Sequence, residues 1–268
     1  MTSGSDVSSK EDIKNIAPFL KSAESFPAPA NEALKRGTGG RSSFNGSVVT
    51  VFGHGQLGGH VITRLGRVGS QIIVPYRGDP QFVRDYKLCG DLGQVLFLPF
   101  YLRDDESIYR AVKHSNVVVN TIGRDYHTTS FDLDDVHVDG ARRIARLSRE
   151  AGVQRLIHVS ALNCHPNPKP VVTRKGSAFY RSKYYGELAV REEFPTATIF
   201  RPSDMYGVRD RFFNYYSSWW RRAYRRMLLW NKGKGIYKMP VSANDVASGI
   251  VNAIFDENAI GQTYDAIG

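Results

Sequence analysis

The sequence predicts an α/β fold with a doubly wound, mostly parallel sheet. Two observations carry that expectation: short β-branched runs that alternate with amphipathic stretches from Ser47 onward, and a glycine-rich turn after the first of those runs. The runs "SVVTVF" (47–52), "QIIVPYR" (71–77), "QVLFLPF" (94–100), "NVVVNTIG" (116–123), "RLIHVSALN" (155–163) and "TATIFRP" (196–202) read as buried strands. Apolar residues at helical spacing fill 57–68, 104–114, 134–150 and 178–193, so successive strands are joined by right-handed crossovers. A last run, "GQTYDAIG", adds an edge strand.

The chain divides into three stretches. Residues 1–45 are rich in Ser, Pro, Ala and Gly without a sustained apolar period and read as a disordered leader. Its basic residues, Lys10, Lys14, Lys21, Lys35 and Arg36, are matched by Asp6, Glu11, Asp12, Glu24 and Glu32. A mitochondrial presequence is arginine-rich and acid-poor, so no clear presequence is present. Residues 46–210 form the dinucleotide-binding domain, and 211–268 hold a basic aromatic segment with the last helix and strand.

The 268 residues carry a net charge of +10, which favours acidic or phosphate-bearing partners. Part of it lies in "WWRRAYRRMLLWNKGKGIYK" (219–238), where Trp219, Trp220 and Trp230 interleave with arginines. That pattern suits a solvated basic helix or peripheral contact with membrane lipid. No RNA-binding motif accompanies it, and a nucleic-acid partner is not expected. Apolar runs fall short of the roughly 20 residues that cross a bilayer. Two cysteines, Cys89 and Cys164, are too few for a disulfide framework. Cys164 and His165 have no ligand-spaced partners and His158 belongs to a strand, so no metal site is expected.

"TVFGHGQLGGHV" places Gly53, Gly55 and Gly58 between the first strand and a helix. The first glycine permits the turn, the second lets backbone approach a pyrophosphate, and the third lets helix and strand pack closely. Amides at the helix N-terminus then face the anion. At the end of the second strand, an NAD site offers an acid for the ribose 2′-hydroxyl. Here "PYRGDP" offers Arg77 first, whose guanidinium suits a 2′-phosphate, and the expected cofactor is NADPH.

The active-site helix of a short-chain dehydrogenase carries a proton-donating tyrosine four residues before a lysine, on one helical face. In "SAFYRSKYYGE" (177–187) the lysine is Lys183 and the position four before it is Phe179, which has no proton to give. Tyr180 stands about 100° around the helix from that position. Ser160 ends the fifth strand, but Ala161 follows where many extended members carry a second serine. Losing the phenol removes about 10²- to 10⁴-fold of acid–base catalysis, so no catalytic residue is assigned.

These stretches, with "GGRSSFNG" (39–46), "GDLGQVLFLPF" (90–100), "SNVVVNTIGRD" (115–125), "EAGVQRLIHVSALN" (150–163), "RPSDMYG" (201–207) and "GIVNAI" (249–254), resemble the short-chain-dehydrogenase-like accessory subunits of mitochondrial respiratory complex I. The resemblance runs from about Gly39 to Gly268. It implies a Rossmann fold of the extended, atypical short-chain type, and a subunit that binds NADPH tightly without taking part in electron transfer. It also implies other subunits of complex I as partners, and a place on the matrix side of the inner membrane where the two arms of the complex meet. Gly53, Gly55 and Gly58 would face the pyrophosphate, Arg77 the 2′-phosphate and Lys183 the nicotinamide ribose. Three departures qualify it. "GHGQLG" is one residue shorter than the GxxGxxG loop of the family, and Tyr101 stands where an aspartate near the adenine is common. The chain also stops at "YDAIG", where relatives continue, so the C-terminal region reads as truncated. The alternative is an active NADP-dependent reductase or epimerase using Tyr180.

Overall fold

The computed structural model describes residues 45–91, 93–169, 176–219 and 237–268, with Ala223 and Lys234. The leader and most of the basic segment, including Trp220 and Trp230, lie outside the described residues. Seven strands form one parallel sheet in the order β3-β2-β1-β4-β5-β6-β9: β1 Val48–Phe52, β2 Gln71–Tyr76, β3 Val95–Pro99, β4 Val117–Asn120, β5 Arg155–Val159, β6 Thr198–Pro202 and β9 Thr263–Ala266. The helices are α1 Gln56–Val68, α2 Asp105–Val112, α3 Gly140–Glu150, α4 Ala178–Glu193, α5 Phe212–Ser217 and α6 Ala243–Phe255. Among the described residues no helix is long and apolar enough to cross a membrane.

The inner strands β1, β2 and β4 are mostly apolar because both faces of the sheet are covered there. Val49 and Val51 of β1 pack with Leu57, Val61, Ile62 and Leu65 of α1 and with Ile250, Val251 and Ile254 of α6. Phe52, one residue out of phase, joins Val118 and Leu156 against Ile108 of α2, Ile144 of α3 and Val190 of α4 on the opposite face. Strand order reverses direction at β1, since β2 and β4 flank it in parallel register (Val49↔Ile72 and Val49↔Val117). This is the switch point beside which an open α/β sheet leaves a crevice at the carboxyl ends of its strands.

The expected elements are present: the helix at 178–193 keeps its bounds, the one at 57–68 starts one residue earlier, and the strands are shorter than the runs that announce them. The helix expected at 134–150 begins as a single π turn, Asp135–Asp139, before α3. Two further elements carry no simple period in the sequence. They are a 3₁₀ segment, Pro80–Cys89, and a two-stranded parallel pair, β7 Met205–Tyr206 with β8 Val241–Ser242. The terminal run is the seventh strand, parallel to β6.

A buried arginine joins the sheet to its last helix. Arg155 opens β5 at 8% exposure, and its Nη1 donates to the Ala253 carbonyl (3.2 Å) and the Asp256 carbonyl (2.6 Å) at the C-terminal end of α6. Those carbonyls have few helical donors left, and a cation there also answers the helix dipole.

Candidate dinucleotide site

The glycine turn is shaped by backbone contacts. Gly53 has φ +90°, and a Cβ there would lie 2.8 Å from Thr121 Oγ1. The Thr121 hydroxyl lies 2.8 Å from the carbonyl oxygens of both Phe52 and Gly53, stitching β1 to the loop after β4. A Cβ on Gly58 would sit 1.8 Å from the Gly53 carbonyl oxygen, so helix and turn close directly on each other. Gly55 is different: among the described residues, nothing beyond its chain neighbours lies within 4 Å of where its Cβ would stand. Its backbone is extended at φ −69°, ψ −160°, and it immediately precedes α1. Here the chain exposes bare backbone and the positive end of a 13-residue helix to open space, which fits a pyrophosphate.

Arg77 follows the last residue of β2 and is exposed. Asp79, the nearby acid, caps the 3₁₀ segment instead: its Oδ1 accepts from the Gln81 amide at 2.8 Å. The side chain able to meet a ribose substituent at this strand end is therefore a cation.

Lys183 projects from α4 into the crevice. Its Nζ donates to the Val159 carbonyl at the end of β5 (3.0 Å) and lies 3.1 Å from where a Cβ of Gly123, in the loop after β4, would stand. Burial lowers its pKa to about 8, with Glu187 only partly offsetting this. Glu187 stands one turn along the same helix. It accepts a bidentate pair from Arg201 of β6 (2.9 and 2.6 Å) and a hydrogen bond from Cys164 Sγ (2.9 Å). Burial works against the Glu187 carboxylate, but the Arg201 bonds outweigh it and hold its pKa below the usual value. Burial and the Glu187 contact push the Cys164 thiol up to about 11, so it is not a nucleophile at neutral pH.

Phe179 packs edge-on against the His137 ring, with centroids 5.4 Å apart. His137 Nε2 accepts from the Arg124 amide (3.1 Å), so the proton sits on Nδ1, which donates to Ser182 Oγ (2.8 Å). Ser182 in turn donates to the Phe179 carbonyl (2.9 Å). Burial, aided by the nearby Lys183 charge, holds the His137 pKa at about 3 and keeps the ring neutral. His158 lies fully buried beneath, its pKa likewise near 3, and its Nδ1 accepts from Asn120 Nδ2 at 3.3 Å.

The Tyr180 ring packs edge-on against Phe179, with centroids 5.4 Å apart. Burial raises the pKa of its hydroxyl, the Asp204 carboxylate raises it further, and Lys238 opposes. The charges that act on this phenol are thus those of Asp204 and Lys238. Ser160 is 4% exposed at the end of β5 beside Glu187 and Cys164.

A segment after β7 bridges the two lips of the crevice. Arg209, at φ +61°, donates from Nη1 to Tyr86 Oη (3.4 Å) and lies 3.6 Å from Asp85. Tyr86 donates to the His54 carbonyl within the glycine turn (2.8 Å). Two residues on, Arg211 pairs with Asp125 of the loop after β4 and lies 6.0 Å over the Tyr126 ring. Sequence reasoning missed this bridge, because no local pattern announces contacts spanning 86 and 123 positions.

The chain matches the NAD dependent epimerase/dehydratase family over residues 49–265. It is 37% identical over 262 residues to NADH dehydrogenase (ubiquinone) 1 alpha subcomplex subunit 9, mitochondrial, of Dictyostelium discoideum, covering 96% of this chain and 70% of that protein. The chain belongs to the NAD dependent epimerase/dehydratase family, within its alpha subcomplex subunit 9 group. It is 47% identical over 236 residues to the Mus musculus subunit 9, spanning 60% of that protein's length. UDP-glucuronic acid 4-epimerase from Bacillus cereus, solved with UDP-glucuronic acid and NAD, superposes with a TM-score of 0.64. At 16% identity over 82% of this chain and 77% of that one, it shows the fold that epimerase-family chains share.

Proposed function

We propose that this chain is a non-catalytic, NADPH-holding accessory subunit of mitochondrial respiratory complex I, on the matrix side of the inner membrane, where the dinucleotide serves assembly or stability. The observation that carries the non-catalytic reading is that Phe179, four residues before Lys183 where a phenol would stand, pairs with His137. Kinship with the subunit 9 proteins supports the complex I assignment. When bound, a nicotinamide dinucleotide supplies hydride chemistry in principle, but the chain's own residues here bind and orient. Gly53, Gly55 and Gly58 shape the turn, Arg77 offers charge for a 2′-phosphate, and Lys183 is placed for the ribose. A ligand held by the folded state at 100 times its dissociation constant adds about 2.7 kcal/mol of stability.

Mass spectrometry of the ligand released from native protein is expected to give NADPH, and Arg77→Asp to weaken NADPH more than NADH. Release of NAD, or equal weakening, would overturn the cofactor assignment. The alternative, an active reductase or epimerase, requires NADPH turnover that Tyr180→Phe abolishes.

The Arg209 and Arg211 contacts, which tie the segment after β7 to the glycine-turn side and to the loop after β4, support retention of a bound dinucleotide. Exposed ion pairs contribute about 0.2–1 kcal/mol each and weaken with salt. NADPH dissociation is therefore expected to quicken about three- to tenfold when both arginines are reversed (Arg209→Glu with Arg211→Glu) at low salt. High salt should bring the wild-type rate toward that of the variant, which stopped-flow displacement would read.

A further inference from the structure

We propose that Phe131 is a specificity-determining residue of this site: its ring positions the Arg77 guanidinium for a 2′-phosphate, and so sets preference for NADPH over NADH. This rests on the NADPH reading above. Two guanidinium groups converge on that one ring, Arg103 at 4.3 Å and Arg77 at 6.0 Å from its centroid. They come from the ends of neighbouring strands, Arg77 after β2 and Arg103 in the loop after β3, while Phe131 lies in the loop after β4.

The ring is fixed independently of either cation. The Phe131 amide donates to Thr128 Oγ1 (3.2 Å), and its carbonyl accepts from both the Thr128 amide (3.0 Å) and hydroxyl (3.1 Å). The side chain also packs against the core beneath α2 and α3. Arg103 is held too, donating from Nη2 to the Ser130 carbonyl (2.9 Å) and to Asp135 (3.3 Å), which answers its charge. Arg77, by contrast, has no hydrogen-bond or ion-pair partner among the described residues; its one described contact is the ring. An arginine free to sample many rotamers loses that freedom on clamping a phosphate, and a face that already orients the guanidinium lessens the loss. NADH lacks the 2′-phosphate and gains nothing from this. The ring therefore acts through Arg77 and discriminates between two otherwise identical dinucleotides.

Equilibrium titration of the cofactor-stripped full chain with NADPH and NADH tests this. Phe131→Leu is expected to weaken NADPH about two- to fivefold, the size of an exposed cation–π contact, and to leave NADH unchanged. Phe131→Tyr, which keeps a ring, should retain the wild-type ratio. In an Arg77→Gln background, Phe131→Leu should have no further effect on NADPH. Equal weakening of both dinucleotides, or no change in either, overturns the role of the ring. A wild-type chain that binds NADH as tightly as NADPH overturns the NADPH reading itself and this inference with it. Phe131→Met repeats the measurement with more retained bulk should the leucine variant fail to fold.

Discussion

Gly58→Ala is expected to destabilise the chain severely, whereas Gly55→Ala should fold normally, although both glycines belong to one motif. The new methyl group at 58 would stand 1.8 Å from the Gly53 carbonyl oxygen, which is backbone and has nowhere to swing. Either β1 and α1 separate or the turn rebuilds. Overpacking of this kind costs about 3 kcal/mol at its upper range, or roughly 6–12 °C in Tm for a domain of this size. At Gly55 no atom of the described residues beyond its chain neighbours lies within 4 Å of the added carbon, and the backbone is one that any residue adopts, so stability should stay within about 0.5 kcal/mol. A bulky residue there, such as Gly55→Leu, is expected to expel the dinucleotide, and under the proposed function it lowers complex I assembly in parallel. Thermal denaturation paired with cofactor retention through gel filtration separates the two effects. Normal retention in Gly55→Leu would remove the pyrophosphate from that space.

Lys183→Met should change stability and binding in opposite directions. The fold lowers the Lys183 pKa to about 8, against an unfolded value near 10.4. Below pH 8 the group is charged in both states, and the whole desolvation penalty, about 3 kcal/mol, is carried by the folded chain. Between pH 8 and about 10.4 the unfolded chain binds the extra proton, so wild-type stability rises with pH through that window and then levels off. Methionine fills similar volume without the charge, and Glu187 keeps its bidentate partner Arg201. The cofactor-free variant is thus expected to be more stable than wild type at pH 7 by about 1–3 kcal/mol, with the advantage vanishing toward pH 10. Under the proposed function NADPH retention should fall, because the amine assigned there to the ribose is gone. A variant less stable at pH 7, with a flat pH difference, would mean that the ammonium is well compensated in the fold.

Much of this arrangement was legible in the sequence, for identifiable reasons. The inner strands were found because they are buried on both faces and therefore almost continuously apolar, as in "SVVTVF" and "NVVVNTIG". The turn at 53–58 was found because only glycine tolerates the approach that Gly53 and Gly58 make. Lys183 and Phe179 were found by helical spacing, which α4 reproduces at Ala178–Glu193. Three features stayed hidden. The 3₁₀ segment at 80–89 has an apolar spacing that fits neither a strand nor an α-helix well, and its start depends on the Asp79 cap. Glu187 stood within the motif stretch, yet its pairing with Arg201 requires α4 to lie across β6. Phe131 lies in a loop between polar residues, where nothing local tells an aromatic platform from an ordinary surface ring.

The reach of Arg155 from β5 to the last carbonyls of α6 bears on how the molecule assembles. A helix end finished by a side chain about a hundred positions earlier gains that support only after the central strands have found one another. Helix α6 should therefore acquire amide protection late, once β5 has taken its place in the sheet and brought Arg155 within reach of the helix end.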